Sequence, residues 1–96
     1  MNFPNKLVYR VHAIKRMFER MITTEDIKNA LIDPKILKEY DDDIPYPSYL
    51  VLGWVENRPI HIVAAVNSET KETIIITAYE PTLEEWNENF NGRKIP

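Results

Sequence analysis

The chain reads as an α+β domain: two N-terminal helices, then a four-stranded antiparallel sheet and a short C-terminal helix, with the helices on one face of a curved sheet. Three observations predict it. Apolar residues recur at helical spacing between positions 11 and 21, a capping signature stands at Thr23, and four β-branched or aromatic runs follow, the last three parted only by short polar turns. Such turns join antiparallel neighbours, because parallel strands need a crossover of about a dozen residues or more.

Val11, Ile14, Phe18 and Met21 place the first helix over about 11–21 with that stripe turned toward the core. His12, Lys15, Arg16, Glu19 and Arg20 then fall on its outer face. The second helix starts at Thr23, whose hydroxyl can cap it. Asp26 completes a capping box, and Ile22 with Ile27 makes a hydrophobic staple. Ala30 and Leu31 continue its buried face until Asp33-Pro34 ends it, since the residue before proline is pushed out of the α region.

The strands are expected over 36–40, 49–55, 59–66 and 72–79, and a short helix over 83–86 lays Trp86 and Phe90 against the body. No repeat, low-complexity tract or flexible linker interrupts them, and glycine occurs only at Gly53 and Gly92. At 96 residues and 44% hydrophobic content, the chain has enough apolar surface for one core, so residues 1–96 are expected to form a single domain.

Composition narrows the function. With no cysteine, neither a disulfide framework nor a thiolate zinc site is available, which suits a reducing cytoplasm. The opening "MNFPNKLVYR" lacks the apolar core of a signal peptide, and no run approaches the roughly 20 apolar residues that span a bilayer. A soluble cytoplasmic protein is expected. Twelve basic against fifteen acidic residues give a net charge of −3, so any nucleic-acid site must be a local basic patch.

The two histidines are the candidate chemistry. His61 interrupts the apolar run "RPIHIVAAV" and shares a strand face with Val63 and Ala65. Turns at 57–58 and 69–70 would set Trp54 and Ala78 beside it, near the rim of the sheet. An imidazole gains nothing from apolar burial, so an accessible position facing the arginines of the first helix is expected. His12 sits in the first turn of that helix. Arg16 and Arg20 repeat at i, i+4, a like-charge spacing that costs a few tenths of a kcal/mol unless an anion lies nearby. Glu19, the Asp41 to Asp43 run or a bound phosphate could each supply it. The aspartate run itself reads as a solvated turn, and no metal or cofactor is expected.

The order of motifs adds a resemblance. "HAIKRMFERMITTEDI", "ILKEYDDDIPYPSYLVLG", "RPIHIVAAV", "TIIITAYEPTLEEW" and a terminal "RK" resemble, from His12 to Arg93, a family of small bacterial and archaeal domains of unknown function. Its members are commonly encoded beside antitoxins with a YgiT-type zinc finger, and the family is similar to the RelE, ParE and EndoU-like toxin superfamily. The resemblance implies a RelE/EndoU-like fold and a toxin of a type II toxin-antitoxin pair, with a cognate zinc-finger antitoxin as partner. It also implies that His12, Arg16, Arg20, His61, Tyr79 with Pro81, and Arg93 are the characteristic polar residues.

Those residues match what metal-free RNA cleavage requires: a base for the 2′-hydroxyl proton, an acid for the leaving oxygen, and cations for the charge growing at phosphorus. His12 and His61 are expected as the catalytic acid and base within about 10 Å of each other, with Tyr79 as an orienting hydroxyl. Arg16, Arg20 and Arg93 are expected to bind the RNA phosphate. The superfamily also holds gyrase poisons and inactive relatives, so a non-catalytic protein-binding module and a gyrase-inhibiting toxin stand as alternatives.

Overall fold

The sheet begins before the helices do. In a computed structural model, which describes residues 3, 4 and 6–92, strand β1 (Lys6–Tyr9) leads directly into α1 (Val11–Glu19) and α2 (Thr24–Ala30). Strands β2 (Lys35–Tyr40), β3 (Ser48–Val55), β4 (Arg58–Asn67) and β5 (Glu72–Tyr79) follow. The strand order is β1-β5-β4-β3-β2, with β1 parallel to β5 and every other pair antiparallel.

The expected four-stranded antiparallel sheet is therefore corrected to a five-stranded mixed one. The extra strand is four residues long and runs straight into α1, too short for an alternating pattern to register. The C-terminal helix is corrected as well: among the described residues, 81–92 form turns and no helix. One helical turn starts, with the Trp86 amide donating to the Thr82 carbonyl at 2.9 Å. Then the Asn87 side chain accepts from the amides of Asn89 and Asn91, and this local bonding competes with helix continuation.

The second helix forms as its sequence dictates. The Thr23 hydroxyl accepts from the Asp26 amide at 3.0 Å, the Asp26 carboxylate accepts from the Thr23 amide at 2.9 Å, and Ile22 and Ile27 are both buried. The helix lies so close to β3 that a Cβ on Gly53 would stand 2.2 Å from the Ala30 carbonyl oxygen. Glycine at position 53 is thus a packing requirement, met by backbone that has no room to retreat.

Alternation along β4 divides the molecule into two layers of packing. Ile60, Ile62 and Ala64, with Val51, Ile75 and Ala78, face the helices and meet Ala13, Met17, Ile27 and Ala30 in the main core. His61, with its partners Leu52 on β3 and Tyr79 on β5, faces the other way. That second face is covered by the segment 81–92, which brings Trp86 edge-on to His61 and Phe90 edge-on to Trp54.

The stripe expected to bury α1 is turned outward. Val11, Phe18 and Met21 are 84%, 83% and 78% exposed and Ile14 is 44% exposed, whereas Ala13 and Met17 are buried against β5. The physical cause is the way the chain enters and leaves the helix. The Arg10 amide continues the β1 ladder by donating to the Ile75 carbonyl at 3.3 Å, and the small side chain of Ala13 lets α1 approach the sheet closely. At the far end, Arg58 donates to the carbonyls of Met21 (2.9 Å) and Arg20 (3.1 Å), while pairing with Glu80 at 2.8 Å. A cation at a helix C-terminus also complements the macrodipole. These fixed ends choose which side of α1 faces the core.

Candidate functional site

The structure separates the predicted site residues into two groups on opposite faces of the sheet. His12 and Arg16 lie on α1 and Arg20 is its C-cap, all exposed to solvent. His61 and Tyr79 lie beneath the 81–92 segment on the far face. The expected approach of His12 to His61 is not found, because α1 packs on the face opposite to the one from which His61 projects. Arg93 lies outside the described residues.

His61 is fully buried and both ring nitrogens are engaged. Nε2 is 2.7 Å from the Phe90 carbonyl oxygen, which can only accept, so Nε2 carries the proton. Nδ1 then accepts from the Tyr79 hydroxyl at 3.2 Å. The ring is flanked edge-on by Trp86, with centroids 4.3 Å apart, and by Tyr79 at 5.2 Å. Burial pushes its pKa below the ordinary value, partly opposed by the bond to the Phe90 carbonyl. The imidazole is held neutral, in one tautomer. A chain-internal carbonyl and a hydroxyl leave it no open nitrogen for a substrate proton.

Beside this pair is a shallow groove of about 330 Å³, lined by Leu37, Lys38, Leu50, Val63, Tyr79 and Trp86 among others. Lys38 stands 5.4 Å from the centre of the Tyr40 ring, a cation–π distance. His61 itself does not line the groove, so Tyr79 reaches it as the outer member of the pair.

On α1 the arrangement is different. Positions 12, 16 and 20 are spaced four residues apart, so their side chains form one stripe with a rise of about 6 Å between neighbours. Arg16 makes an exposed pair with Glu19 at 3.6 Å, a contact of little strength in water. Arg20 reaches the edge of β5 beyond the point where β1 stops pairing, and donates to the Ala78 carbonyl at 2.8 Å. One arm of its guanidinium is thereby fixed to the sheet. Between residues 10 and 20 there are four basic side chains and one acidic, in a chain whose net charge is −3. Positive charge is thus locally in excess over this segment.

Two further residues matter that sequence reasoning passed over. Arg58 read as a turn residue, yet it clamps the end of α1 and also lies 3.6 Å from Asp26 at the start of α2. Phe90 supplies the carbonyl that fixes the His61 tautomer, a role of its backbone that no side-chain pattern announces. The hairpin registers account for the rest of the difference. The β3–β4 turn falls at Glu56-Asn57, placing Leu52 and not Trp54 opposite His61, and a bulge at Val63/Ala64 shifts Tyr79 into the position expected for Ala78. Among the described residues, no three His, Asp or Glu side chains gather at metal-binding spacing, and no helix is long and apolar enough to cross a membrane.

Comparison with known proteins agrees with the motif order. No curated protein and no solved structure matches the chain. The model of the family described as "Domain of unknown function (DUF4258)" matches residues 9–80, a span that holds α1, both histidines and Tyr79 but ends before the segment that covers His61. The chain belongs to the DUF4258 family.

Proposed function

We propose that this protein is the toxin-like member of a two-protein pair, akin to the RelE, ParE and EndoU-like toxins, and that it engages RNA through α1. The observation that carries the reading is the stripe His12, Arg16, Arg20: one imidazole and two guanidiniums, exposed and evenly spaced on a single helix face. Evenly spaced cations suit a polyanion whose charges also recur at regular intervals. Arg20, anchored by the Ala78 carbonyl, offers a guanidinium whose position is already set, which lowers the entropy lost on binding phosphate.

This reading assigns His12 alone to proton transfer with RNA. His61 and Tyr79, expected at an accessible edge facing the arginines of α1, are instead an interior pair on the opposite face of the sheet. Metal-free cleavage then rests on one imidazole that takes the 2′-hydroxyl proton and returns it to the leaving 5′-oxygen, beside two phosphate-binding arginines.

The test is inducible expression of wild-type protein, His12→Ala and Arg16→Ala, with growth and RNA integrity followed in the same cultures. Wild-type protein is expected to arrest growth and degrade RNA, and both variants, folded to the same level, to lose that effect. Co-expression of a neighbouring zinc-finger protein is expected to restore growth. Arrest with intact RNA and damaged DNA would favour the gyrase-directed reading, and no arrest at all would remove the toxin reading.

A further inference from the structure

Two threonines on β5 are placed differently. Thr73 is fully buried, and its hydroxyl donates to the Pro4 carbonyl at 2.9 Å. In an unbroken strand Thr77, four residues on, would share that face, since side chains at i, i+2 and i+4 point to one side. It does not, because Ile76 is an extra residue: Ile75 pairs with Ala64, but Thr77 pairs with Val63. The bulge re-aims Thr77 to the side of the sheet that carries His61 and Tyr79. There it is half-buried, on the stretch of β5 that β1 does not reach.

Arg20 comes to the same edge from α1. Its Nη1 donates to the Ala78 carbonyl at 2.8 Å and stands 3.5 Å from the Thr77 hydroxyl oxygen. Its own carbonyl accepts from Arg58 at 3.1 Å, so the residue is held at both ends. What the guanidinium lacks is an anion. Arg16 has Glu19, and Arg58 has Glu80 and Asp26, whereas Arg20 forms no ion pair among the described residues. Among those residues, its Nε and Nη2 protons and the hydroxyl proton of Thr77 also have no acceptor. A hydroxyl that accepts from a cation is polarised into a stronger donor.

We infer that Arg20 and Thr77 together bind one phosphate group of an RNA strand, which makes Thr77 a substrate-contacting residue. The guanidinium donates to one non-bridging oxygen and the hydroxyl to the other, an arrangement that suits a group with two acceptor oxygens and one negative charge. The inference rests on the proposed function for its ligand and adds a direction to it. A strand that follows His12 and Arg16 along α1 leaves the helix at Arg20 and crosses the open edge of β5. The carbonyls at the C-terminus of α1 would oppose an anion there, but those of Arg20 and Met21 are engaged by Arg58. Glu80, at the end of β5, is paired with the same arginine.

The test uses the intact protein and a fluorescein-labelled single-stranded RNA of about ten nucleotides, with anisotropy followed over a range of potassium chloride concentrations. Thr77→Val removes the hydroxyl and nearly keeps the shape. It is expected to hold the wild-type Tm and to weaken binding about tenfold, with an unchanged salt dependence, because no charge is lost. Thr77→Ser should bind as wild type does. Arg20→Ala is expected to weaken binding and also to flatten the slope of log K against log salt by about 0.7, the loss of one phosphate contact on a single strand. In the Arg20→Ala background, adding Thr77→Val should cost no more than about twofold, since the two residues hold one group. Wild-type affinity in Thr77→Val, a tenfold loss that persists without Arg20, or a loss that only tracks the folded fraction would each overturn the inference. In those cases the proposed function stands if Arg16→Ala still weakens RNA binding, whereas a wild-type protein that binds no RNA removes both.

Discussion

The two faces of the sheet bury comparable kinds of side chain by different means. On the helix face, regular elements meet: α1 and α2 press Ala13, Met17, Ile27 and Ala30 onto Val51, Ile60, Ile62, Ala64 and Ile75. On the other face an irregular segment, 81–92, covers the sheet with two aromatic residues and one backbone carbonyl. The first face is specified by shape, down to a glycine that admits a helix backbone. The second is specified by a polar group, since His61 is satisfied only when Tyr79 and the Phe90 carbonyl are both in place. A buried hydrogen-bonded ring fixes the position of an otherwise loosely patterned segment, because leaving either nitrogen without a partner would cost about 1–3 kcal/mol.

Substitutions on the two faces should expose that difference. Trp86→Ala empties the space beside His61 and is expected to destabilise by about 3–5 kcal/mol, and its signature should be increased amide exchange in β4 and β5 near His61 and Tyr79. Gly53→Ala sets a methyl against the Ala30 carbonyl and is expected to cost about 3 kcal/mol, with the disturbance confined to α2 and β3. Chemical denaturation gives the magnitudes, and hydrogen exchange gives the location. If both variants disturbed the same residues, the two faces would form one cooperative layer and the comparison would fail.

A smaller effect concerns pH. Because the folded protein holds His61 below its ordinary pKa of 6.5, the unfolded chain takes up a proton more readily than the folded one just below that value. His61's contribution is therefore flat above about pH 6.5 and is lost progressively as pH falls from there toward the folded-state pKa. Denaturation midpoints of wild type and His61→Gln between about pH 7.5 and 5 should diverge, with the stability of the wild type falling more on acidification. Parallel curves would mean that His61 is not held neutral.

What was legible in the sequence followed local chemistry. The capping box at Thr23, the staple of Ile22 and Ile27 and the four long strands are each set by neighbouring residues, and each is present. The misreadings came where distant contacts decide. β1 exists because β5 offers it an edge, and its four residues carry too little pattern to show this alone. The inward face of α1 was chosen by the ladder bond from Arg10 and the clamp from Arg58, not by which stripe is more apolar. That inversion leaves the stripe that looked like core exposed to solvent. The site divided in the same way. The polar residues of α1 could be listed from the sequence, but the separation of His12 from His61 depends on which side of the sheet each element covers. The partner that seals His61 is a backbone carbonyl, which no sequence pattern encodes.

The central claim is that the two histidines, both expected in catalysis from the sequence, divide between two roles, His61 belonging to the fold and His12 to the proposed function. Growth arrest per unit of folded protein, measured for His61→Asn and His12→Ala alongside the Tm of each, tests this directly. The account predicts that His61→Asn melts well below wild type, by about 2 kcal/mol of stability, yet still arrests growth in proportion to its folded fraction. His12→Ala is expected to keep the wild-type Tm within about 0.5 kcal/mol and to lose arrest. A His61→Asn protein that folds with wild-type stability and no longer arrests growth, beside a His12→Ala protein that still does, would contradict it.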